Sequence, residues 1–294
     1  FFDNENACMV FNAGELSLVE YGNNEILGSL RTEYMNPHLI SLRLGEARND
    51  SETAVKKIAF LLDQQSVRVL DLTTNIAEAT YSHDCKIDWM ELNQRAGKLL
   101  FRDKRRALHL FDVQTQTRST LLNFCNYVQW VPDSDVVVAQ SRKTLCVWYS
   151  IDNPSDVTNK TIKGDIEEIE RSGGRTEVIV DEGVETATYA LDESLIAFGS
   201  AVDAKDYNKA ANILEDQTGA KGAEAMWKQL CKLALDDGKL AIAERCYAAL
   251  GDMSGLNYMH DLQKSFKEYG SNAKHPMVRY RFFLLNKQFK RAEA

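Results

Sequence analysis

The sequence predicts an all-β region passing into an all-α region. The first, residues 1–192, reads as the closing blades of a WD-repeat-like β-propeller, and the second, 193–294, as the first tetratricopeptide-like hairpins of an α-solenoid. Three observations carry this. Short strand patterns recur about every 40 residues, polar turns separate them, and from Glu193 the apolar period changes from two to three and four.

The repeat has two interleaved signals. An apolar strand ending in an acid occurs at Val67-Arg68-Val69-Leu70-Asp71 and again at Leu108-His109-Leu110-Phe111-Asp112, with the acids 41 residues apart. Trp148-Tyr149-Ser150 and Tyr189-Ala190-Leu191 continue that series. Ile87-Asp88-Trp89 and Val128-Gln129-Trp130 form the second series, also separated by 41 residues. Within one unit the alternation predicts strands at 86–92, 98–102, 107–113 and 118–122, joined by the polar turns 93–97, 103–106 and 114–117.

Four short antiparallel strands rich in β-branched and aromatic residues describe a propeller blade, too thin to bury its own faces and therefore stacked on its neighbours. Complete units fall at 38–82, 85–122 and 126–163, an incomplete one at 164–191 and half a blade at 7–33. Gly173-Gly174 reads as a hairpin turn, 46–53 as a surface loop, and the acids of 165–170, alternating with Ile166 and Ile169, as a solvated strand face.

In the last third, apolar residues fall at Leu195, Phe198 and Val202, then Ala210, Ile213 and Leu214, the spacing of a helix face. Polar breaks at 203–206, 218–222, 236–238, 251–252 and 270–274 divide it into short helices. Trp227, Leu230, Ala243 and Tyr247 approximate a tetratricopeptide hairpin, with Cys231 standing where a smaller residue is usual.

A formal net charge of −8 argues against a nucleic-acid binder. No apolar run could cross a bilayer and no signal peptide opens the chain, so the cytosol is expected. In that compartment the sequons at Asn49 and Asn159 carry no weight, and the scattered cysteines read as buried free thiols. Phe stands at position 1, and the last residues break off inside a helical pattern, which points to a fragment of a longer protein.

Nothing in the pattern suggests catalysis. Phosphate-binding and nucleophile-elbow motifs are absent, and the five histidines lack metal-ligand spacing, with His109 reading as a core histidine. No cofactor, metal or small-molecule substrate is expected. Arg102, Lys104, Arg105 and Arg106 form a compact basic turn suited to a partner or an anionic membrane surface, and 264–291 is also basic.

Several segments carry a family likeness. Phe11-Asn12-Ala13-Gly14-Glu15-Leu16, Met35-Asn36-Pro37-His38-Leu39-Ile40-Ser41, Lys98-Leu99-Leu100-Phe101-Arg102-Asp103, Gln129-Trp130-Val131-Pro132, Leu145-Cys146-Val147-Trp148-Tyr149 and Ile242-Ala243-Glu244-Arg245-Cys246 resemble the intraflagellar transport protein 172 family. That family places two propellers before a long helical-repeat tail, so the resemblance implies the end of the second propeller and the start of the tail. It further implies a peripheral scaffold subunit of the intraflagellar transport B complex, located in the cytoplasm and cilium and bound to other subunits of that complex. A coat-like vesicle-trafficking scaffold of the same architecture is the alternative, and a propeller enzyme the remote one.

Overall fold

The computed structural model describes residues 7–12, 15–20, 26–34, 36–45, 55–216 and 223–268. The expected loop at 46–53, the helix breaks at 218–222 and 270–274, and all but the start of the basic stretch 264–291 lie outside them. The chain divides into two compact units, Phe1–Leu191 and Asp192–Ala294.

Among the described residues, the first unit consists of antiparallel sheets, each built from strands consecutive in sequence. Three have four strands: β4 (Ile40–Gly45), β5 (Val55–Leu61), β6 (Ser66–Asp71) and β7 (Ile76–Ser82); β8 (Ile87–Leu92), β9 (Lys98–Asp103), β10 (Leu108–Asp112) and β11 (Arg118–Leu122); β12 (Tyr127–Trp130), β13 (Val137–Ser141), β14 (Thr144–Trp148) and β15 (Thr158–Thr161). Two have three strands: β1 (Ala7–Asn12), β2 (Glu15–Glu20) and β3 (Ile26–Arg31); β16 (Asp165–Ser172), β17 (Arg175–Asp181) and β18 (Thr186–Ala190). The segment expected as half a blade at 7–33 therefore holds three paired strands, because Leu16 and Leu18 in β2 and Leu30 in β3 supply the alternating apolar residues of further strands.

The period of two explains why these sheets stack. Along β9, Leu99 and Phe101 join a core with Ala59, Leu61, Val67 and Val69 of the preceding sheet. Leu100, between them, points the other way and joins Trp130, Val137, Ala139 and Trp148 of the following sheet. Ile58 and Phe60 likewise face Leu16, Leu18 and Leu30, while their neighbours Ala59 and Leu61 face forward. The sheets β4–β7 and β8–β11 are thus each covered on both faces by their neighbours, while β15 is fully exposed.

Polar links cross between the blades at defined points. Thr32 Oγ1 donates to Leu61 O at 3.0 Å, Ser41 Oγ accepts the Leu92 N–H at 3.0 Å, and Arg43 Nη2 lies 2.7 Å from Glu91 Oε1. Asn93 Nδ2 lies 3.1 Å from each Asp135 carboxylate oxygen, and Trp130 Nε1 donates to Glu91 O at 3.3 Å.

The acid that ends the repeated strand has a local cause. Asp71 Oδ1 accepts the N–H groups of Thr73 and Thr74, and Asp112 Oδ1 those of Gln114 and Thr115, so each carboxylate closes the turn into the blade's last strand. Gly173 and Gly174, at φ 59° and 77°, make the hairpin turn that the sequence predicts there.

The second unit contains α1 (Glu193–Asp203), α2 (Tyr207–Asp216), α3 (Ala223–Asp236), α4 (Leu240–Leu250) and α5 (Met253–Glu268). Asp192 caps α1 by accepting the Ser194 N–H at 3.0 Å, and Gly251, at φ 67°, ends α4 in the left-handed conformation. Trp227, Leu230 and Ala243 are buried in one core with Cys231 and Cys246, and Tyr247 packs against it, which brings the hairpin signature together. In α1 the buried face is Ile196, Phe198 and Ala201, with Leu195 and Val202 only half-buried. The predicted stripe is thus rotated slightly about Phe198.

Candidate functional site

Two groups of polar residues in the propeller blades stand out. The first is buried. His83, in the connection before β8, Asp103, at the end of β9, and His109, in β10, offer side-chain donor atoms that all lie within 4.8 Å of one another. Local sequence spacing cannot reveal this, because the three residues come from two strands of one blade and from the connection leading into it.

The geometry identifies the cluster as a brace. His83 Nε2 is 3.3 Å from Asp103 Oδ2, and Arg118 Nη1 is 3.1 Å from His83 Nδ1. A guanidinium only donates, so Nδ1 accepts and the His83 proton sits on Nε2, aimed at the carboxylate. A metal would need the lone pair that this proton occupies, and the arginine adds a positive charge beside it. Asp103 Oδ1 accepts the Ala107 N–H at 2.9 Å and so closes the turn between β9 and β10.

Burial alone would raise the Asp103 pKa, but the Ala107 N–H, His83, His109 and the Arg105 N–H together hold it below the usual carboxylate value. His109 Nδ1 lies 3.1 Å from Thr120 Oγ1, while its Nε2 is buried without a hydrogen-bond partner, 3.7 Å from Asp103 Oδ2. Burial first, then the neighbouring His83 and Arg118, lowers the His109 pKa and keeps the ring neutral. It packs among aromatic rings, its centroid 5.0 Å from that of Phe101 with the two planes tilted by 31°.

The second group is the basic turn. Arg102 is half-buried and committed to the blade: its Nε donates to Asp88 Oδ1 at 2.9 Å and its Nη1 to Asn126 O at 3.1 Å. Lys104, Arg105 and Arg106 are exposed. Arg106 Nη1 donates to Asn126 Oδ1 at 3.0 Å, and its guanidinium stands 5.6 Å over the Phe124 ring. The four residues therefore split, with Arg102 holding adjacent blades together and the other three facing solvent.

The family described as IFT80 second beta-propeller matches residues 5–172. The chain belongs to this family. The IFT80 second beta-propeller match takes in all three four-stranded sheets, both polar groups and the whole of β16. Similarity to individual proteins continues through the helices. The intraflagellar transport protein 172 homolog of Danio rerio is 54% identical over 298 residues, and that of Homo sapiens is 49% identical over 298 residues. Intraflagellar transport protein 172 of Chlamydomonas reinhardtii is 51% identical over 300 residues. Each match covers 100% of this chain and 17% of the relative, so the chain spans 17% of the length of the curated relatives it matches. Among solved structures, dihydro-heme d1 dehydrogenase NirN in complex with DHE gives a TM-score of 0.45 at 12% identity, over 64% of this chain and 42% of that one, too distant a likeness to bear on function.

Proposed function

We propose that the chain is part of a non-enzymatic scaffold subunit of the intraflagellar transport machinery, which assembles and maintains cilia through protein contacts within transport trains. The observation that carries this reading is the similarity over the whole chain, helices included, to relatives described as intraflagellar transport protein 172. Its place of work is then the cytoplasm and the cilium, and its partners are other subunits of the intraflagellar transport B complex. Residues 1–192 act as propeller blades that present loop rims, and 193–294 as the opening hairpins of a solenoid that presents helix faces.

The chemistry of the blades supports a contact role. The buried cluster of titratable donors described above closes a turn and braces two strands, and its one uncommitted atom, His109 Nε2, is buried away from solvent. Among the described residues no helix is long and apolar enough to cross a membrane.

Affinity purification of the full-length protein from ciliated cells, beside a form lacking 193–294, tests the reading. Recovery of other transport subunits with the full-length protein is expected, and partial loss of them with the shortened form. Recovery of vesicle-coat proteins in their place would contradict it.

A further inference from the structure

We propose that one rim of the blades, centred on Arg106 and Arg142, is a docking surface for a short acidic peptide segment of a partner protein. The topology assembles this rim from separated pieces of sequence. In each four-stranded antiparallel sheet the turn between the second and third strands lies at the same end as the connections to neighbouring sheets. Backbone bonds join them into one line: Lys104 N–H donates to Lys86 O at 2.8 Å, Cys125 N–H to Arg106 O at 2.7 Å, Asn126 N–H to Gln140 O at 2.8 Å and Ile162 N–H to Lys143 O at 2.9 Å. Lys86, Lys104, Arg105, Arg106, Arg142 and Lys143 are all exposed along it.

The rim is concentrated charge in an acidic chain. Among the described residues Lys86, Lys104, Arg105 and Lys143 have no ion pair. At its centre Phe124, 37% exposed, lies under two guanidinium groups at once, Arg106 at 5.6 Å and Arg142 at 5.8 Å from the ring centroid. Arg106 and Arg142 occupy the β9–β10 and β13–β14 turns of successive blades, both left-handed, at φ 66° and 55°. Glycine takes that conformation without strain. Arginine at both places instead brings two planar, multiply donating cations together, the arrangement that grips carboxylates.

The surroundings favour a short peptide over other anions. Asp63 and Asp84 bound the basic stretch on one side, and Asp165, Glu182 and Glu185 on the other, so an extended polyanion would run into like charge at both ends. A membrane surface calls for apolar side chains free to insert, whereas the exposed aromatic of this stretch is covered by the two arginines.

The test is fluorescence anisotropy of the full-length protein with a short labelled poly-glutamate peptide, and sedimentation with vesicles of phosphatidylserine in phosphatidylcholine. Arg105→Glu with Lys143→Glu is expected to weaken peptide binding about tenfold or more. Arg106→Gly with Arg142→Gly, which suits the left-handed turns and leaves the melting transition in place, is expected to weaken it as well. Arg95→Glu, in the β8–β9 turn, with Arg175→Glu, at the start of β17, makes the same charge change on the opposite rim and should leave binding within about twofold. Equal loss in that control, no effect of the rim variants, or no binding by the unaltered protein would overturn the proposal. So would vesicle binding that depends on Arg105 and Lys143 while peptide binding does not, which would assign the rim to a membrane.

Discussion

The side-chain Oε1 of Gln140, in β13, accepts the backbone N–H of Ile166, in β16, at 2.9 Å. The same amide donates through Nε2 to Asp165 Oδ1 at 2.8 Å and to Arg142 O at 2.8 Å, and Gln140 is only 1% exposed. One buried side chain thus fastens the first strand of the last sheet to the blade before it, at the end of the blade that carries the basic rim.

Gln140→Leu should therefore destabilise the propeller unit by about 1–3 kcal/mol, since it leaves a buried N–H without an acceptor. Urea unfolding followed by tryptophan fluorescence measures this, and an unchanged midpoint would remove Gln140 from the account of blade packing.

Stability should fall on the acid side in two stages. His109 has its pKa lowered below 6.5 by burial, so the unfolded chain takes up that proton first, and stability declines as pH drops below 6.5 toward the folded value. Asp103 has its pKa lowered below 3.8, so its contribution is present above that pH and is lost as pH falls through the folded value. His109→Leu should flatten the first decline in thermal melts taken across pH, whatever it does to the absolute melting temperature.

Two glycines mark close approaches where a methyl group has nowhere to go. A Cβ on Gly164 would sit 1.8 Å from Asp181 O, and one on Gly255 would sit 2.4 Å from the Tyr247 ring. Overpacking of this kind costs about 1–3 kcal/mol, and Gly164→Ala should cost more than Gly255→Ala because a backbone carbonyl cannot rotate aside as a side chain can. Denaturant midpoints of the two variants give the order.

Thiol labelling should follow burial. Cys125 is buried and its pKa is pushed up to about 12, by burial above all, whereas Cys85 is half-exposed. In the folded protein at mildly alkaline pH, iodoacetamide should modify Cys85 well before Cys125, as read by mass spectrometry of the peptides; equal rates would contradict the packing around Cys125.

The strands were legible because each contributes alternate residues to two cores, which leaves a clean period of two, and because Asp71 and Asp112 repeat one turn. The helix breaks at 203–206, 236–238 and 251–252 were legible from their polar residues. What joins blade to blade was not. His83, Asp103 and His109 meet only because a connection and two strands converge, and Gln140 looks like any polar strand residue until β16 is beside it. The basic turn at Arg102 to Arg106 was visible as a run of charge, but Lys86, Arg142 and Lys143 join it only through the common direction of the turns. The signal that could have found them is positional: Arg142 and Lys143 fall in the same turn of the next blade as Lys104 and Arg105.

The most direct measurement of the proposed role is fluorescence tracking of the tagged full-length protein in living ciliated cells beside a labelled transport subunit. Movement along the axoneme together with that subunit is the expected result. Steady residence on Golgi-like membranes, with no travel in the cilium, would mean that the same architecture serves a vesicle coat instead.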